Sequence, residues 1–151
     1  MKGMELVALF SEKNQIEAVV GLNQKTEKFG LALTEEEARQ LVLMCRDKLR
    51  EQQRVEFGEG ILPKLIWTFC DSPYIDQNTY IETISRLQEI FYLYKNESMD
   101  EFTDDELLEY MKEAFDGECN GSLEYLEETV LEDFARNVRR EGHSFFGSYY
   151  R

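Results

Sequence analysis

The sequence is poor in the residues on which most enzyme chemistry depends. Its 151 residues include one histidine, His143, and three cysteines without a CxxC spacing. Zinc sites and Ser–His or Cys–His nucleophile pairs need several such side chains at fixed spacings. No P-loop, GxGxxG or GxSxG motif occurs either. We therefore expect no catalytic site of these types, and an enzyme would have to use paired carboxylates.

The sequence also has no long apolar run and no start that resembles a secretory signal peptide. We therefore expect neither a membrane span nor export. The odd number of cysteines favours reduced thiols in the cytoplasm. Cys45 and Cys70 lie in apolar segments and are predicted to fill the core. Cys119 is predicted to be exposed, with acidic neighbours that disfavour its thiolate.

Basic residues are nearly absent from one stretch of the chain. Residues 96–133 contain fifteen acids and a single base, Lys112, whereas residues 1–54 contain nine of each. The net charge of −14 therefore arises mainly in residues 96–133. Such a field repels nucleic-acid phosphates and attracts cations or basic protein surfaces. Keeping the protein soluble is the alternative reason for these acids.

Helical periodicity dominates the remaining pattern, so we predict an all-α fold. Residues 1–151 are predicted to form one domain, a bundle of about six helices. Capping boxes at Thr34 and Thr103 mark two helix starts. The predicted helices cover 11–22, 34–54, 63–70, 76–94, 103–116 and 122–140.

The first third of the chain also contains segments without a regular period. Residues 4–10 fit either a helical turn or a strand, and Ser11 is a predicted helix cap. Residues 23–33 are predicted to be a polar connector, with an extended stretch as the alternative. The helix from Pro63 is apolar on nearly all sides, Trp67 included, which predicts a central buried helix.

Aromatic residues end one predicted helix and the chain itself. At the end of the helix over 76–94, Phe91 and Leu93 are predicted to be buried, and one of the two neighbouring tyrosines exposed. The aromatic tail 145–150 is predicted to pack on its own core, with a contact to another chain as the alternative.

The acidic loop 116–127 between the last two helices resembles the calcium loop of an EF-hand, D-x-[DN]-x-[DN]-G-x5-E. Carboxylate, amide and carbonyl oxygens suit a hard cation. The candidate ligands are Asp116, Glu118, Asn120, the Ser122 carbonyl and Glu127. The loop departs from the family in the long side chain of Glu118 and in lacking a partner loop. A helix end, a turn at Asn120-Gly121 and an N-cap at Ser122 are the alternative interpretation.

Four short segments resemble a bacterial family of uncharacterised small acidic helical proteins. They are Gly30-Leu-Ala-Leu-Thr34, Phe69-Cys-Asp-Ser-Pro-Tyr74, Phe91-Tyr-Leu-Tyr-Lys-Asn-Glu97 and Gly121-Ser-Leu-Glu-Tyr-Leu126. The resemblance implies a bacterial cytoplasmic origin and leaves the activity open.

These observations favour a non-enzymatic interaction or regulatory domain, without a cofactor, that presents the acidic surface 96–133 to a basic protein partner. A calcium-binding helix–loop–helix through residues 116–127 is the alternative function. A carboxylate-based hydrolase is the third hypothesis. Nucleic-acid binding is not expected, because no basic patch with interleaved aromatics occurs.

Overall fold

The all-α prediction is confirmed by the computed structural model, which describes residues 2–56, 59–99 and 101–142, with side chains from residue 12 onward. Within these residues there is no β-strand. The longer helices are α1 (Lys2–Gly21), α2 (Glu35–Glu51), α3 (Leu62–Phe69), α4 (Tyr80–Glu97), α5 (Asp104–Asp116) and α6 (residues 123–141).

The chain divides into two compact units, residues 1–89 and 90–151, with the boundary inside α4. The single domain over 1–151 stays a prediction from chain length.

In the first unit, α1 packs against α2 and α3. The capping box at Thr34 is confirmed: its hydroxyl accepts the Glu37 N–H at 3.1 Å, and the Glu37 carboxylate accepts the Thr34 N–H at 3.0 Å. The face of α2 predicted to point inward is buried throughout, at Ala38, Leu41, Val42, Cys45 and Leu49. Local sequence therefore determined both the start and the orientation of α2.

The prediction that α3 is buried on all sides was wrong. Leu65, Ile66 and Phe69 are buried, but Trp67 is 54% exposed. An α-helix turns 100° per residue, which places Trp67 on the side opposite the buried face. The Lys25 ammonium lies 3.3 Å from the centre of the Trp67 ring, so this exposed indole makes a cation–π contact within the first unit.

The start of the chain is more helical than predicted. Ser11 does not cap a helix but lies inside α1, because α1 continues through residues 4–10. Residues 23–29 are not extended: they form short helical turns at Asn23–Thr26 and Glu27–Phe29, which end at Gly30 with φ of +80°. The Asn23 side-chain amide then holds the Leu33 backbone by two hydrogen bonds, of 2.7 and 2.9 Å.

The second unit is built around a cluster of aromatic rings. The Phe134 ring of α6 lies 5.1–5.4 Å from the rings of Tyr94, Phe102 and Tyr110, measured between centroids. These distances are typical of interacting aromatic pairs. The predicted capping box at Thr103 is confirmed, and so is the buried face of α5, which also includes Tyr110.

The end of α4 differs from the prediction that one tyrosine is exposed. Both Tyr92 and Tyr94 are buried, and Leu93 is only half-buried. Tyr94 follows Phe91 by three residues and therefore lies on the same side of the helix. The predicted packing of the tail 145–150, like the position of His143, lies outside the described residues.

Candidate functional site

The exposed side of α5 carries a row of acids. Asp105, Glu109 and Glu113 follow one another at four-residue spacing and are all exposed. Like charges at this spacing repel each other and destabilise a helix by about 0.2–0.5 kcal/mol per pair. Asp105 lies in the first turn, where the helix dipole favours acids, but Glu109 and Glu113 lie beyond that turn and do not serve the stability of α5.

A second acidic row follows on α6, at Glu124, Glu128 and Glu132, which are also exposed. Between the first and last of these residues the helix contains a π turn, Leu126–Val130. The Tyr94 hydroxyl donates a hydrogen bond of 2.6 Å to the Leu126 carbonyl at the start of this turn. Burial, reinforced by the neighbouring Tyr110, raises the pKa of Tyr94, so the hydroxyl keeps the proton that it donates.

Nearby bases offset part of the acidic charge. Arg139 pairs with Glu97 at 3.7 Å and Arg136 with Asp133 at 3.2 Å, so two arginines near the end of α6 lie against acids of the predicted surface. Lys95 pairs with Asp104 in the first turn of α5. Because the ion pairs made by the two arginines are mostly exposed, each contributes little free energy and is screened by salt.

An open groove of about 550 Å³ lies along α6 beside the π turn. Four acids border it: Glu97 from the end of α4, and Glu127, Glu128 and Glu132 from α6. Leu131, half-buried, and Ala135, which is 6% exposed, supply its apolar surface. Arg139 completes the lining. We call this feature the α6 groove.

The loop 116–127 has the features of a helix end, a turn and a helix start. The Gly117 N–H bonds to the Glu113 carbonyl at 2.9 Å and closes α5. Asn120 and Gly121 have φ angles of +48° and +81°, as expected for the turn dipeptide. Ser122 caps α6, accepting the Tyr125 N–H at 3.1 Å. All three roles in the alternative interpretation are thus present.

The candidate calcium ligands differ in burial, and one of them has an ion-pair partner. The Asp116 carboxylate, at the first ligand position, pairs with the Lys112 ammonium at 2.7 Å. Glu118 and Asn120 are exposed, while Ser122 and Glu127 are half-buried. Among the described residues, no three acids, cysteines or histidines are grouped so that they could hold a metal ion. The calcium site therefore stays a prediction that rests on the sequence pattern.

Cys119 was predicted to be exposed, and this prediction was wrong: the side chain is buried. Its backbone N–H donates a hydrogen bond of 3.0 Å to the Ala114 carbonyl near the end of α5. Burial and the adjacent Glu118 raise the pKa of Cys119 to about 11, which disfavours the thiolate as expected. Cys45 and Cys70 are buried, as predicted.

The fold and the charge pattern define a class: an all-α protein whose net negative charge is concentrated in residues 96–133. Residues 18–144 match a family of unknown function, DUF6323, and the chain belongs to that family. No curated protein matches the chain, and neither does any solved structure. The expected membership of an uncharacterised family is thereby confirmed, while the bacterial cytoplasmic origin stays a prediction. None of the described helices is long and apolar enough to cross a bilayer.

Proposed function

We propose that the protein is a non-enzymatic interaction or regulatory domain whose acidic surface, residues 96–133, binds a basic surface of a partner protein. The observation that carries the proposal is the charge of this stretch, fifteen acids against one base, with acidic rows exposed on both α5 and α6. A surface of one sign attracts partners of the opposite sign and speeds their encounter.

The cost of the acidic rows supports this proposal. Asp105, Glu109 and Glu113 form two repelling pairs along α5. Together these pairs cost on the order of 0.5–1 kcal/mol, a noticeable share of the stability of a small domain. Solubility requires net charge, but it does not require acids in consecutive turns of one helix face.

Charge contacts at an exposed surface weaken with salt, which provides the test. We would immobilise the full chain, pass a lysate of the source organism over it at about 50 mM salt, and elute with about 500 mM salt. A variant with Glu109, Glu113, Glu124 and Glu128 changed to Gln should retain about tenfold less of each partner. Partners that stay bound in high salt, and bind the variant equally, would contradict the proposal.

The matched control removes the same charge from the first unit. Glu17, Glu36, Glu51 and Glu82 are exposed acids there, and their simultaneous change to Gln should leave partner recovery unchanged. Because the two variants have equal net charge, a difference between them reports the location of the acids rather than their number.

Calcium binding through residues 116–127 is the second candidate. The left-handed turn at Asn120-Gly121 favours it, since the calcium-loop pattern requires a sharp turn at the position of Gly121. Calorimetry with calcium chloride should then show heat that Glu127→Gln abolishes, and a flat titration at about 1 mM calcium would end this hypothesis. A carboxylate-based hydrolase is the third candidate and rests on the abundance of acids alone.

A further inference from the structure

We propose that the α6 groove is the docking site for an amphipathic helix of the partner, which places an apolar side chain on Leu131 and Ala135 and basic side chains against the bordering acids. This inference rests on the proposed function and adds the chemistry of the partner. It predicts a contact with an apolar centre and a charged rim, rather than a diffuse electrostatic attraction.

The apolar part of the groove has a spacing that suits a helix. Leu131 and Ala135 are four residues apart and therefore lie on the same side of α6. Leu131 is half-buried and Ala135 is buried, and both line the same open cavity of about 550 Å³. This volume accommodates a few side chains, so the partner helix would insert only one face, over about two turns.

The acids around this apolar centre favour basic residues beside the apolar residue of the partner. Glu127 and Glu128 lie one turn before Leu131, Glu132 lies next to it, and Glu97 comes from the end of α4. Lysine and arginine can lay their apolar stems along the groove while their charged ends reach these acids. Arg139, the one basic residue among the described residues of the lining, already has Glu97 as its ion-pair partner. Four acids against one base therefore favour a basic occupant.

The groove has a fixed framework on one side. The π turn that bears Glu127 and Glu128 starts at Leu126, which is buried and whose carbonyl accepts the hydrogen bond of the buried Tyr94. Phe134, one turn after Val130, packs in the aromatic cluster. A site held by buried contacts loses little freedom when it binds a ligand, which favours affinity.

The test uses two labelled synthetic peptides of about 18 residues with the same composition of leucine, alanine, lysine and arginine. In the first, the leucines recur at helical spacing and share one face; in the second, they are scattered around the helix. Fluorescence anisotropy with the full chain should give a dissociation constant about tenfold lower for the amphipathic peptide.

Leu131→Gln should raise the dissociation constant of the amphipathic peptide about tenfold. Leu43→Gln is the matched control, since Leu43 is a 43% exposed leucine on α2, and it should have no effect. Circular dichroism would verify that both variants fold. If Leu131→Gln does not fold, Glu132→Lys replaces it, because Glu132 is exposed; its effect should exceed that of Glu113→Lys, the same charge change on α5.

The outcomes separate this inference from the proposed function. If both peptides bind equally, and Glu132→Lys and Glu113→Lys weaken their binding to the same extent, the groove is not the docking site. The proposed function of the acidic surface would still stand. No binding of either peptide at about 50 mM salt would overturn both proposals. A self-associating chain that Leu131→Gln dissociates would identify a second copy as the occupant and would also overturn the inference.

Discussion

Helices α2 and α5 begin alike and then diverge. Each starts with a threonine capping box and has three acids in its first turn, and each buries one apolar face. Beyond that turn, α2 carries four basic residues, including Lys48 and Arg50 in its last turn, whereas α5 carries only Lys112. Acids near the start of a helix are favourable because they face the positive end of its dipole, but acids further along are not.

Two features of α5 serve folding, its capping box and its apolar face. Because α2 forms with mixed charges, the cap and the apolar face are sufficient to define such a helix. Glu109 and Glu113 lie beyond the first turn of α5 and are exposed, so neither the cap nor the core depends on them. These acids are available for binding, and their replacement should leave the fold intact.

The largest expected effect is the loss of stability when a buried side chain is removed. The buried face of α2 consists of aliphatic side chains and a cysteine, whereas that of α5 packs against the aromatic cluster. Phe134→Ala should lower the free energy of unfolding by about 3–5 kcal/mol, because it empties the centre of that cluster. Urea denaturation would measure the loss. Tyr125→Ala, at a 40% exposed aromatic of α6, is the control and should change it by less than about 0.5 kcal/mol.

A second test compares the buried thiols, Cys45 of α2 and Cys119 after α5. Burial, with a smaller effect of Glu56, raises the pKa of Cys45 to about 12, and Cys119 has a pKa of about 11. The unfolded thiols ionise near pH 9.0, so above that pH the unfolded chain binds fewer protons than the folded chain does. Stability should then fall with rising pH, by up to about 1.4 kcal/mol per pH unit for each thiol.

Urea titrations between about pH 8 and 10.5 would measure this slope, which Cys119→Ala should reduce. An identical slope in the variant would show that the folded Cys119 ionises as readily as the unfolded one. Cys45→Ala should reduce the slope in the same way, so the two thiols can be compared directly.

A third test asks whether the two capping boxes are equivalent. Thr34→Ala and Thr103→Ala should each cost about 1 kcal/mol, because each leaves a backbone N–H at a helix start without its acceptor. Thermal or urea unfolding of the two variants would check this. A much larger loss of stability in Thr103→Ala would mean that α5 depends on its cap more than α2 does.

The smallest effect concerns the acidic row itself. Glu109→Gln removes two repelling pairs of α5, with Asp105 and Glu113, and should stabilise the protein by about 0.5–1 kcal/mol at low salt. The gain should disappear at about 1 M salt, where exposed charges are screened. A gain that persists in high salt would have to come from helix propensity rather than from charge.

The sequence was informative where structure is local. The capping boxes and the inward faces of α2 and α5 follow from spacing over one or two turns, and both were predicted. The exposure of Trp67, Cys119 and the tyrosines of α4 was predicted wrongly, because exposure depends on which side of each element packs against another part of the chain. The α6 groove was not predicted, since it brings Glu97 to residues thirty or more positions further along the chain.

The π turn of α6 has a consequence for aligning this chain with other members of its family. A π turn accommodates one more residue than an α turn does, so residues 126–130 behave like a one-residue insertion in an otherwise regular helix. A shorter relative should align with its gap at this turn. Such a deletion would rotate Glu124 by about 100° around the helix axis relative to Glu132 while leaving the rest of the helix continuous.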